Sequence, residues 1–167
     1  MLISRTAFHK SATEDSFSAG VYGSIIATAL VGALHEEHAA SGKILASVLL
    51  TMAVFWLAHT WSEITGERIY HSVGFTWAHA REIAVSEWPL LEAALGPAIP
   101  LIVGWAGALS DSTAATIALV VCVAQCAVWG LLVGTRAYGR HWQAALSAVS
   151  TTGFALGLVA LEILVLH

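Results

Sequence analysis

Charge is scarce in this chain of 167 residues: seven basic and eleven acidic side chains make up 11% of it, against 57% hydrophobic. A soluble domain carries about a quarter of its residues as charges, so this composition could not keep a monomer in water, and it equally excludes disorder. Cysteine is nearly absent. Cys122 and Cys126 lie four apart in one apolar run, where side chains along a single helix are rarely bridged, and they read as two small buried hydrophobes. A net charge of −4 with no basic patch argues against nucleic acid as a partner. A Gly-rich phosphate loop, a nucleophile elbow and a diagnostic Ser/His/acid arrangement are also missing, so no enzyme motif is present, and an enzyme stays open as the less expected reading.

Long apolar runs are what the sequence has instead, and its mean hydropathy is +0.76. Five stretches, at about 16–34, 44–65, 89–110, 112–135 and 142–166, each contain a charge-poor run of 18 to 24 residues. About 20 residues of helix cross a hydrocarbon core of about 30 Å. A membrane β-barrel would need segments of about 10 residues alternating apolar and polar, and these runs are apolar on all sides. The reading is all-α: one polytopic transmembrane domain over 1–167 with five membrane helices. Val31-Gly32-Ala33 resembles a signal-peptide cleavage site, but the leader before this run is long and carries Glu14 and Asp15, so the first run is read as a retained span.

The basic residues set a direction. Arg5, Lys10, Arg68, Arg81, Arg136 and Arg140 fall on one side of a five-span chain and only Lys43 on the other. The positive-inside bias then places the N-terminus in the cytoplasm and His167 outside, and the expected location is a bacterial plasma membrane. The second inner connection mixes Ile69, Val73, Trp77 and Ile83 with Arg68, His71, Arg81, Glu82 and Glu87, which predicts an amphipathic helix along the cytoplasmic interface or projecting from the second span. Pro97 and Pro100 beside Gly96 predict a kink or local unwinding in the third span.

Within apolar runs, polar residues stand out. Gly20, Ser24, Thr28 and Gly32 recur every four residues on the first span, a small, weakly polar stripe suited either to close helix packing or, through Ser24 and Thr28, to lining a permeation path in an oligomer. Gly130/Gly134 and Gly153/Gly157 are further small pairs that fit close packing. On the second span and its continuation, His59, Glu63, Glu67 and His71 follow one another at intervals of four, so adjacent members are neighbours on a slowly turning face. His59 is about 22 Å along the helix from Ile44, a depth at which an ionisable group must face protein or water. With Glu63, and with Glu92 entering the third span, it suggests an inner acidic vestibule and a proton or cation relay. No cofactor is implied. Imidazole and carboxylate also suit a metal ion, for which His59, Glu63, Glu67 and His71 are the weak candidates, although no paired Glu-x-x-His motif or His-Glu-x-x-His is present. On the outer side, His35, Glu36, Glu37 and His38 follow the first span and Glu162 lies near the end of the last, a titratable set able to attract cations or to be solvated loop.

Gly20-Val21-Tyr22-Gly23, Phe55-Trp56-Leu57-Ala58-His59 leading on to Gly66-Glu67-Arg68, and the closing apolar segment resemble a group of small five-span integral membrane proteins of actinobacterial type, a resemblance that implies no activity. Phe17-Ser18-Ala19-Gly20-Val21 with Phe55-Trp56-Leu57-Ala58-His59 is similar to the first two spans of the lysosomal and bacterial potassium-channel family marked by Arg-x-x-x-Phe-Ser-Asp, with Thr13 where that family has its Arg and Ala19 where it has its Asp. The expectation from sequence is an oligomeric channel or transporter for protons or simple cations, pH-gated through His59 and Glu63. Its competitors are a non-catalytic accessory or assembly subunit of a larger membrane complex and, third, a membrane metalloprotein. The partners expected are the lipid bilayer and either further copies of the chain or the subunits of a complex.

Overall fold

In hydrocarbon a backbone amide finds no water, so a chain that crosses it must satisfy its own N–H and C=O groups, and a helix does this within one segment. The computed structural model describes residues 3–71 and 76–166, with the side chains of 16–66, 76–137, 139–161, 163 and 164. The described residues form six helices: α1 (Ile3–Glu36), α2 (Ser41–His71), α3 (Trp77–Ser86), α4 (Trp88–Trp105), α5 (Asp111–Tyr138) and α6 (His141–Leu166). Five of them are long and apolar enough to cross a membrane, over Ser16–Glu36, Ser41–Gly66, Trp88–Trp105, Asp111–Ala137 and His141–Leu161. The all-α polytopic architecture is thus as the sequence predicts. α2 runs past the apolar stretch to His71, and a separate short helix, α3, follows, so the second connection is both a projection of α2 and a distinct amphipathic helix.

The third span is shorter than its hydropathy suggests. α4 stops at Trp105, and 106–110 form a turn in which Gly107 takes φ +81°, a left-handed conformation that glycine adopts without a Cβ clash. Ser110 then starts α5, its hydroxyl accepting from the Thr113 N–H at 3.2 Å. Nor does α4 unwind at its prolines. Pro97 and Pro100 leave the carbonyls of Ala93 and Gly96 without their usual helical donors, yet the helix is continuous across both, and both rings are buried with Ala93, Ala94, Ala98 and Leu101. Packing on this face holds the segment helical despite the two lost bonds.

The five spanning helices close a ring in the order α1, α2, α4, α5, α6, and α1 also reaches inward to α4 and α5, so it touches every other span. The core lies along α1: Ala27 and Val31 pack with Ile44, Val48 and Met52 of α2, Leu101 of α4, and Ala118 and Cys122 of α5. Small residues allow this approach. A Cβ on Gly20 would come within 2.5 Å of the Trp129 ring, and one on Gly32 within 2.9 Å of Val159. Cys122 and Cys126 are free and buried, as small core residues. The beginnings of α1, α4 and α6 and the ends of α2 and α5 share one end of the bundle with α3, here termed the α3 face; the opposite end is the Asp111 face.

Candidate functional site

His59 is presented by α2 near the α3 face, four residues below Phe55 and one turn above Glu63. Opposite it, the chain turns sharply between α3 and α4. Glu87 is the residue of the turn: its N–H closes α3 on the carbonyls of Ile83 and Val85, and α4 begins immediately at Trp88-Pro89, where the missing proline N–H falls in a first turn that needs no such bond. This double use of one residue as the end of one helix and the start of the next drives its side chain back under α2. Glu87 Oε2 lies 3.5 Å from His59 Nε2, with the carboxylate side chain 4% exposed and the imidazole 50% exposed. A buried carboxylate requires a hydrogen-bond donor or an opposite charge beside it, and the His59 ring is one such neighbour.

The surroundings fix both groups. The Tyr22 ring of α1 stacks on His59 with centroids 6.4 Å apart and planes at 27°, and meets Phe55 edge-on at 6.1 Å. The Trp56 indole N–H donates to the Ala84 carbonyl at 3.0 Å and its ring meets Trp88 edge-on, which clamps the end of α3 to α2. Ser16 of α1 donates its hydroxyl to the Ser86 carbonyl at 3.0 Å. Thr60, next to His59, is 9% exposed, and its buried hydroxyl oxygen has no hydrogen-bond partner among the described residues. Three helices and the α3–α4 turn therefore converge on one buried carboxylate, beside which a half-exposed imidazole stands. Such an arrangement can pass a proton between the outside and a desolvated acid, or admit a cation when the imidazole is neutral.

The other predicted residues are distributed differently. Glu63 and Glu92 are both exposed, and no described contact gathers them with His59 into a vestibule. The side chains of Glu67, His71 and Glu162 lie outside the described residues. Ser24 and Thr28 are fully buried inside the chain: Ser24 donates to the Gly20 carbonyl at 2.8 Å, Thr28 to the Ser24 carbonyl at 2.7 Å, and the Thr28 hydroxyl lies 3.4 Å from Cys126 Sγ. The stripe is thus an internal packing face of α1 and does not border an opening between copies. Among the described residues no group of three or more His, Cys, Asp or Glu is assembled that could hold a metal ion.

On the Asp111 face, His35, Glu36, His38, Ala39, Asp111 and Ser112 line an open recess of about 400 Å³. His35 Nε2 is 3.3 Å from the Thr116 hydroxyl, His38 takes φ 55° with its Nδ1 2.7 Å from the Glu36 carbonyl, and Glu37 pairs with Lys43 at 3.8 Å. Asp111 is the structural member of this group. Its Oδ1 accepts from the Ser41 N–H at 2.9 Å and from the Ser41 hydroxyl at 2.6 Å, so the first residue of α5 caps the first turn of α2.

No family model, curated protein or solved structure matches the chain.

Glu87 and Asp111 were not singled out by sequence reasoning. Glu87 stands in a mixed segment beside Arg81 and Glu82, where charge alone does not distinguish it; its signal is its place directly before Trp88-Pro89, a helix start that forces a turn. Asp111 reads as a helix-initiating acid, and its partner Ser41 is 70 residues away.

Proposed function

We propose that the chain is a small oligomeric channel or transporter for protons or simple cations, in which His59 and Glu87 form the titratable gate. The observation that carries this reading is the 3.5 Å contact between a carboxylate almost wholly removed from solvent and a half-exposed imidazole at the end of a membrane-spanning helix. An ionisable group near the end of a spanning helix is costly to bury and is a default candidate for an ion or proton path, and an apolar pair of the same volume would serve packing as well. Imidazole is the side chain suited to change charge near neutral pH, and Glu87 and Tyr22 are the groups in contact with it. The centre of a single chain is filled by Ala27, Val31, Val48, Met52 and Leu101, which favours a path enclosed between copies, alongside α2, over one through the monomer. The location that fits is a bacterial plasma membrane with the α3 face cytoplasmic, because six of seven cations fall on that side of the chain.

The test is flux in proteoliposomes containing the full chain. Wild type is expected to carry proton or potassium current above empty vesicles; Glu87→Gln, which keeps size and removes the charge, is expected to lower it at least tenfold, and His59→Ala to abolish its dependence on pH. Equal flux in wild type, both variants and protein-free vesicles would overturn the reading.

A further inference from the structure

α3 is only ten residues long, about 15 Å, so it cannot cross the membrane, and it lies against α2 on the α3 face. Its packed side is Ile83, which is buried, with Ala80 and Ala84 half-buried beside it, and Trp56 anchors it through the Ala84 carbonyl. Its other side is unusual. Trp77, Arg81 and Val85 recur at intervals of four and so share one arc, and all three point away from the bundle, Trp77 being 81% and Val85 61% exposed.

No single solvent suits this arc. Water would leave Trp77 and Val85 solvated at a hydrophobic cost, and hydrocarbon would strand the Arg81 guanidinium. Only the headgroup layer, where indole rings rest at the level of the glycerol and a guanidinium meets phosphate, satisfies both. No described carboxylate forms an ion pair with Arg81; Glu82, the neighbouring exposed acid, turns to His79 Nδ1 at 3.7 Å. Arg81 is therefore the one charge between two exposed apolar side chains, a planar donor available to a phosphate oxygen.

We infer that the Trp77–Arg81–Val85 face of α3 is a docking site for an anionic phospholipid, its phosphate held by Arg81 and its glycerol and upper acyl region by Trp77 and Val85. The site is independent of the His59–Glu87 reading and requires only that the chain be embedded in a bilayer.

Native mass spectrometry of the full chain in mild detergent, titrated with equal amounts of phosphatidylglycerol and phosphatidylcholine, tests it. Wild type is expected to retain phosphatidylglycerol in preference. Arg81→Gln is expected to reduce that preference roughly fivefold, Trp77→Ala to reduce adducts of both lipids, and Lys43→Gln, on the opposite face, to leave the ratio unchanged. Circular dichroism checks that each variant keeps its helix content. An unchanged ratio in Arg81→Gln overturns the proposal, and so does displacement of phosphatidylglycerol by an equal concentration of inorganic phosphate, which would make the site one for a bare anion.

Discussion

Gly130/Gly134 on α5 and Gly153/Gly157 on α6 are the same motif, small residues four apart in an apolar helix, and the fold treats them in opposite ways. At Gly130 an added Cβ would lie 2.6 Å from the Ala148 Cα, and at Gly134 2.5 Å from the Ala144 Cα, both distances to backbone. At Gly153 and Gly157 nothing lies within 4 Å. The first pair is where α5 and α6 touch; the second faces away from the bundle among exposed Val149, Phe154 and Leu156. A small pair therefore permits close approach and does not by itself say that one occurs. What decides is whether the facing helix also carries small residues in register, as Ala144 and Ala148 do.

Substitutions at the two pairs sharpen this contrast. Gly130→Leu is expected to have the largest effect, because the new side chain meets backbone that cannot rotate aside and α5 must move off α6; a loss of about 3 kcal/mol is expected. Reversible unfolding of the purified chain in mixed detergent micelles measures it, and a change below 1 kcal/mol would mean that the α5–α6 approach is looser than it looks. Gly32→Ala stands between the two pairs. Its Cβ would meet Val159 Cγ1 of α6 at 2.9 Å, a side-chain atom with some freedom to yield, so about 1 kcal/mol is expected in the same measurement. An effect at Gly32 equal to that at Gly130→Leu would place α1 as firmly against α6 as α5 is.

The architecture was legible because hydropathy is written locally: five runs gave five spans. Its errors are equally local. Ala106, Gly107, Ala108 and Leu109 are as apolar as the helix before them, so the run continued to 110 while the chain had already turned at Gly107. The α4 prolines were read from backbone chemistry alone, which cannot count the packing that keeps the helix intact. At the site, His59 was visible as an ionisable group inside an apolar run, and its distance from the run's start gave its depth. Glu87 was not, because its burial is created by the α3–α4 turn folding beneath α2, a contact across 28 residues. For the stripe on α1, the spacing was correct and the direction was undetermined: Ser24 and Thr28 occupy one face, and only the placement of α1 against every other span shows that this face looks inward.

Gly153→Leu is the smallest effect and the sharpest test of the contrast. Its isobutyl group would project from the outer side of α6, beside Val149 and Phe154, where an added Cβ meets no described atom within 4 Å. Replacing glycine in a helix interior also removes backbone freedom from the unfolded state, a contribution that favours the variant. The expected change is therefore within about 0.5 kcal/mol of zero, with the helix slightly favoured, in the unfolding measurement used for Gly130→Leu. A loss approaching that of Gly130→Leu would mean that another helix covers this face. The distinction between an occupied and an unoccupied small pair would then fail, because the glycines of α6 would be there for a neighbour just as those of α5 are.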